Sequence, residues 1–396
     1  MSICIVGLGP GNPRHLTLEA QEVLKAAREV WLRTARHPVV PHLPAHLTVH
    51  SFDPLYDAAE NFAEVYRAIV QEVLRLGERP EGIVYAVPGH PLVGEATVTE
   101  ILREARERGL EVRIVEGVSF VEPTLTALGV DALGPGLQIY DGIDLAARRH
   151  PPLNPDLPAL IGQVHSRTLA SDLKLTLMNQ YPDEHPVTLV VAAGTDQERV
   201  LRVPLWELDH HEVNHLTSLY IPPLAVVSGF ESFQETVARL RAPDGCPWDR
   251  AQTHESLRSH LLEETYEALA ALDAGDMDKL REELGDLLLQ IVLHAQIATE
   301  EGDFRMADVI AGIDAKIKRR HPHVWGDVKV HGADEVLNRW ERLKEQERAG
   351  EGSMLDGVSS AQPALLQAYV YGERVARVGF DWSRAAEVAE KVREEL

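Results

Sequence analysis

The chain has 396 residues, 44% of them hydrophobic, with 62 acidic against 39 basic side chains and a net charge of -23. That size and composition suit two or three globular domains. The acidic surplus argues against a groove for DNA or RNA polymers, whose phosphates are gripped largely by Lys and Arg. No apolar run reaches the length of a membrane span, Met1-Ser2-Ile3-Cys4 opens a strand rather than a basic leader, and Cys4 and Cys246 make no disulfide framework, so no membrane partner and a cytoplasmic location are expected.

In chain order, Ser2 to Gly11 reads SICIVGLGPG, an apolar strand running into a glycine loop, and a helix pattern follows from Glu19 to Ala27. This is not a dinucleotide fingerprint, because Asn12 stands where the third glycine belongs and Pro10 lacks the N–H that a pyrophosphate cradle would use. An amphipathic helix is predicted over Phe62 to Leu76, and a strand over Gly82 to Val87 leads into Pro88-Gly89-His90-Pro91. A helix over Ala96 to Arg108 and a strand over Val112 to Val115 lead into Glu116-Gly117-Val118-Ser119. Strands alternating with helices, with Gly or Pro loops at the strand ends, predict a parallel α/β sheet that meets its ligand at the carboxyl edge.

Carrying GLGPGNP, PGHP and EGVS in this order, residues 2 to 223 resemble the tetrapyrrole (corrin/porphyrin) methylases. The resemblance implies S-adenosylmethionine bound between two α/β lobes, the second lobe carried by Ala159 to Gly162, Val187 to Ala193 and Ile221 to Pro223. It places Pro10, Gly89, His90, Pro91, Ser119 and Ile161 beside the methionine and adenosine of that cofactor. Many of these methylases carry Asp where this chain has His90, which could equally cap a helix end. The alternative is a scaffold kept for ligand sensing without methyl transfer.

Val226 to Glu231 leaves the last strand of this module and Phe233 to Leu240 reads as a new helix, which sets a domain boundary near Gly229. Beyond it, leucines recur at helical spacing on both sides of Asp273-Ala274-Gly275-Asp276, predicting an antiparallel helix hairpin. Glu264 and Glu267 share a face of the first helix, and Glu283 and Asp286 share a face of the second. Glu267 precedes Gly275 by as many residues as Glu283 follows it, so both pairs lie at similar depth below the turn and four carboxylates converge. Such a cluster repels itself unless a cation sits in it, and oxygen ligands without His or Cys favour Mg²⁺ or Mn²⁺. The ordinary alternative is a solvated acidic face, which would interleave Lys and Arg with the acids as Lys279, Arg281 and Glu282 already do on the flank.

Glu263, Glu264 and Glu267 as Glu-Glu-x-x-Glu, then Glu283 and Asp286 as Glu-x-x-Asp, resemble the MazG nucleoside triphosphate pyrophosphohydrolases. Gly245-Cys246-Pro247-Trp248-Asp249, Arg320-His321-Pro322-His323-Val324 and Trp340-Glu341-x-x-Lys344 extend the resemblance over residues 230 to 347. Glu263, one residue off the ligand face, is the candidate base or outer carboxylate. A helix over Met306 to Arg320 puts Lys316 and Arg320 on one face, suited to triphosphate oxygens or, alternatively, to the helix dipole. Trp340 and Lys344 lie four apart on a helix expected over Asp334 to Gln346, so a base could stack on the indole while the ammonium reaches a phosphate, core packing of Trp340 being the alternative. Lys279 joins them as a candidate nucleotide contact. His321-Pro322-His323 reads as a helix stop rather than a metal pair.

From Pro363 the chain repeats part of this unit, Trp382 and Arg384 echoing Trp248 and Arg250, and stops at Glu394-Glu395-Leu396 before a second Glu-x-x-Asp helix, so the copy builds no complete metal site. The expected organisation is multidomain, an N-terminal α/β two-lobed methylase-like domain (1–228), an all-α MazG-like helical bundle (229–350) and a partial second repeat (351–396). The expected activity is Mg²⁺-dependent hydrolysis of nucleoside triphosphates to monophosphate and pyrophosphate by a homodimer, since a lone hairpin cannot cover its leucines. The rival is an S-adenosylmethionine-dependent methyltransferase whose helical half serves dimerisation or nucleotide sensing.

Overall fold

A computed structural model describes residues 2–58, 62–333, 335–337, 339–340, 343, 355–376, 378–382 and 384–395. It divides into two compact units, Met1–Asp244 and Gly245–Leu396. In the first unit, β1 (Ser2–Gly7), β2 (Glu29–Leu32), β3 (Thr48–Ser51), β4 (Ile83–Val87) and β5 (Glu111–Val115) form a sheet of order β3-β2-β4-β1-β5. Every pair in it is parallel. β4 and the Ile3–Val6 stretch of β1 alternate no polar face into the sheet because both faces are covered. Ile3, Ile5, Ile83 and Tyr85 pack with residues of the helices Phe62–Gly77 and Ala96–Arg108, while Val6, Leu8 and Ala86 pack with Ala20 and Leu24 of the helix Leu18–Ala26.

The second lobe comprises β6 (Gln138–Asp141), β7 (Ala159–Gly162), β8 (Pro186–Val191), β9 (Arg199–Pro204) and β10 (Thr217–Ile221), in the order β6-β7-β10-β8-β9. Only its β6–β7 pair is parallel; the other pairs are antiparallel. The parallel sheet expected from the strands up to Val115 is that of the first lobe; in the second, β8 runs into β9 through a short turn that leaves no room for a crossover helix.

Three glycine loops at the carboxyl edge of the first sheet pack backbone on backbone. A Cβ on Gly7 would stand 2.6 Å from the Gly117 nitrogen and 2.7 Å from the Gly89 oxygen. Gly9 and Gly89 exchange backbone hydrogen bonds of 3.2 and 2.8 Å, both at positive φ. The order GLGPG, PGHP, EGVS is thus the signature of one junction, built where side chains would not fit.

The first compact unit runs to Asp244 and so includes the helix Phe230–Arg241. The Asp156 carboxylate accepts from Ser228 N–H (2.8 Å) and Gly229 N–H (2.9 Å), tying the start of the helix Phe230–Arg241 to the first unit.

The second unit contains the predicted hairpin, helices Arg258–Ala274 and Met277–Glu301. Gly275 closes the first helix at φ 67°, and Asp276 caps the second by accepting from Lys279 N–H at 3.0 Å. A third helix, Met306–Arg320, ends at His321 as the sequence predicts. Helices Ala364–Ala376 and Ala385–Glu395 follow in the repeat segment. Most of the helix expected over Asp334 to Gln346, with Lys344, lies outside the described residues.

Candidate metal centre and cofactor cleft

The two hairpin helices bring together the carboxylates that the spacing singled out. One oxygen from each of Glu264, Glu267 and Glu283 lies within 4.8 Å of the others, the one group of this kind among the described residues. Glu283 is buried to 1% exposure, Glu264 is half-buried and Glu267 is exposed, so the cluster opens to solvent on the Glu267 side. Asp286 stands outside this tight group, half-buried, and its charge reaches Glu264.

The electrostatics show a site short of positive charge. Burial, then Asp286, Glu267, Glu283 and Glu263, push the Glu264 carboxyl above its ordinary range. The Glu283 charge, followed by desolvation and a hydrogen bond with Glu283, does the same to Glu267. Lys279 Nζ lies 2.5 Å from Glu283 Oε1, and that bond raises the lysine's own pKa. Among the described residues no donor meets Glu283 Oε2, which is buried. Three hard oxygen ligands, one of them sunk between helices with an unmet lone-pair demand, fit a small divalent cation such as Mg²⁺ or Mn²⁺.

The other residues picked out in this unit are placed as follows. Glu263 is exposed, with His260 Nδ1 3.8 Å from its Oε2, and is not one of the three converging ligands. Lys279 is turned onto Glu283 and Glu282 rather than outward. Lys316 is exposed on the third helix. Arg320 lies over the Trp340 ring, 5.7 Å from its centroid, so one indole face carries a guanidinium. No spacing in the sequence points to the pair His254 and His294, which stack with ring centroids 5.0 Å apart.

In the first unit a cleft of about 420 Å³ opens beside the glycine junction, and Pro10 and Gly89 line it. The other four positions expected there are engaged elsewhere. His90 Nδ1 accepts from Leu92 N–H at 3.0 Å, Pro91 is buried, Ser119 caps Val121 N–H at 2.9 Å, and Ile161 is wholly enclosed in the core of the second lobe. The reason is local: His90, Pro91 and Ser119 follow strand ends closely enough to be consumed in the turns, and Ile161 lies within β7 itself. Sequence reasoning missed the cleft's polar wall. Arg33, just past β2, pairs with buried Glu95 at 2.9 Å and lies 5.3 Å from the Tyr66 ring centroid. His37, 5% exposed, is held neutral by burial, its pKa lowered to about 4. The one available signal was position, since Arg33 follows the carboxyl end of a strand as Pro10 and Gly89 do.

Fold and sites define a two-lobed α/β module of the methylase kind joined to an all-α module with a carboxylate hairpin. The model of the tetrapyrrole (corrin/porphyrin) methylases matches residues 2–209, and that of the MazG nucleotide pyrophosphohydrolase domain matches residues 252–325. YabN of Bacillus subtilis, an uncharacterized protein, is 41% identical over 378 residues, 92% of this chain and 75% of that one. The nucleoside triphosphate pyrophosphohydrolase of Escherichia coli is 48% identical over 161 residues, 40% of this chain and 61% of that one. The nucleoside triphosphate pyrophosphohydrolase/pyrophosphatase MazG of Thermotoga maritima is 45% identical over 168 residues, 42% of this chain and 64% of that one. The chain therefore spans less than two thirds of the length of these two pyrophosphohydrolases. It belongs to the tetrapyrrole methylase family and carries a MazG domain in its second half.

Because Glu264 and Glu267 hold protons more tightly when folded, metal-free folding is favoured at low pH and loses ground as pH rises through and above 4.5, the ordinary carboxyl value. In chelator, urea unfolding of Glu267→Gln should therefore gain on wild type as pH is raised from 4.5 toward neutrality. Parallel pH profiles for the two proteins would contradict this.

Proposed function

We propose that the second half of the chain hydrolyses nucleoside triphosphates to nucleoside monophosphate and pyrophosphate, with Mg²⁺ (or Mn²⁺) held by Glu264, Glu267, Glu283 and Asp286. The observation that carries the reading is the convergence of three carboxylate oxygens within 4.8 Å around buried Glu283. When bound, the cation supplies positive charge that neutralises phosphate oxygens and acidifies the attacking water. Glu263, exposed beside the ligand face, is assigned as the base that would take the proton from the attacking water. Lys316 and Arg320 supply cations for the triphosphate, Arg320 in a fork geometry, and Lys279 is assigned a phosphate only once its ammonium leaves Glu283. Trp340 offers its indole to the base, and Lys344 is assigned a phosphate by its place in the motif. The names of the E. coli and T. maritima relatives support the substrate class. Glu267→Gln keeps the side-chain volume and removes one ligand charge, so pyrophosphate release from the common nucleoside triphosphates should fall by at least about a hundredfold. Wild-type rates in that variant, or activity that persists in chelator, would refute the proposal.

A second reading concerns the first unit, favoured by the cleft that Pro10 and Gly89 line. In it the cleft binds S-adenosylmethionine, whether or not methyl transfer follows. Calorimetry on the full chain should show heat with the cofactor or its demethylated product. Gly7→Ala, which forces a methyl against Gly117 and Gly89, should weaken binding by about tenfold or more. No heat with wild type would remove this reading.

The protein is further proposed to act in the cytoplasm as a homodimer through its helical unit. Leu262, Leu269, Leu272 and Leu284 of the hairpin are 53%, 48%, 53% and 53% exposed, an apolar face of the kind that helix bundles cover by pairing. No helix of the described residues is long and apolar enough to cross a membrane. Light scattering at micromolar concentration should return twice the chain mass; a monomer mass would contradict the dimer.

A further inference from the structure

Lys279 stands one turn before Glu283 on the second hairpin helix, its Nζ 2.5 Å from Glu283 Oε1. The pair is lopsided, because the lysine side chain is 48% exposed and the glutamate 1%. Water can take back the ammonium head at small cost by rotation of a flexible stem, whereas the carboxylate has no way out to solvent. Its oxygens are also the ones that close the three-carboxylate group with Glu264 and Glu267. The ammonium therefore sits where the group needs positive charge and where a divalent ion would place it.

We infer that Lys279 is the built-in counter-cation of the metal-free site, holding Glu283 in place until a divalent ion displaces its ammonium into solvent. The inference rests on the metal reading above. An ammonium and a dication on one carboxylate repel each other across a few ångströms, so binding the ion weakens the lysine contact and the lysine weakens the ion. Two consequences follow from this single exchange. The metal-free hairpin folds without an unpaired buried charge, and the ion is held loosely enough to be exchanged with each substrate. Neither depends on the lysine touching the nucleotide.

The test uses the full chain and Mn²⁺ as the probe. Lys279→Met keeps the apolar stem and removes the charge, and Lys279→Arg keeps the charge. In chelator Lys279→Met should melt below wild type, and saturating Mn²⁺ should raise its melting temperature by more than it raises that of wild type. By calorimetry its Mn²⁺ affinity should be about tenfold tighter than wild type, the scale of one partly exposed ion pair, while Lys279→Arg stays near wild type. Should Lys279→Met fail to fold even with Mn²⁺, Lys279→Gln takes its place in the same comparison. Equal or weaker Mn²⁺ binding in the neutral variants, with wild type binding normally, overturns the counter-cation role and leaves the metal site standing. A wild type that binds no Mn²⁺ overturns the metal reading and this inference with it.

Discussion

The helical unit is arranged around one buried carboxylate. Glu283 lies at 1% exposure between the hairpin helices, with Glu264 and Glu267 converging on the same point. Transferring a charge out of water is costly unless something pairs with it, and the carboxylates that face it across the hairpin are of the same sign. The hairpin can hold such a group only with a cation present. Lys279 answers that demand from one side, and a hard divalent ion would answer it more completely. The tight turn at Gly275 and Asp276 matters for the same reason, since it sets the register that puts both acidic pairs at one depth.

The first unit builds its cleft by the opposite means, from backbone rather than charge. Gly7, Gly89 and Gly117 pack without side chains at the ends of β1, β4 and β5, and Gly9 and Gly89 lock two of the loops by mutual hydrogen bonds. The junction leaves a rim on which Arg33 and Glu95 neutralise one another and His37 stays uncharged. With its acids and bases matched in this way, the cleft presents shape and hydrogen bonds rather than net charge.

Much of the helical unit was legible in the sequence because its information is periodic. Leucine spacing located the two helices, and the i, i+3 carboxylate pairs located their facing sides. The burial of Glu283 was not legible, since an i, i+4 Lys–Glu pair reads as a surface bridge until the depth of its acid is known. In the first unit β1, β4 and β5 stood out as apolar runs before glycine loops. β2 and β3, four residues each, are too short to show a period, and with them went Arg33 and the polar wall of the cleft. His90, Ser119 and Ile161 lie in the right motifs, yet a motif does not say which of its side chains is spent on capping a turn or filling a sheet. The tie between Asp156 and Gly229 was not legible for a similar reason, since it reaches across a long stretch of sequence.

The central claim is that a divalent ion belongs among the carboxylates of the hairpin, and it can be seen directly. A crystal of the full chain soaked in Mn²⁺ should show an anomalous peak bounded by Glu264, Glu267 and Glu283, with Asp286 on its rim and the Lys279 ammonium withdrawn from Glu283. Density that leaves the lysine in place and puts no Mn²⁺ among these carboxylates at millimolar concentration would contradict the account.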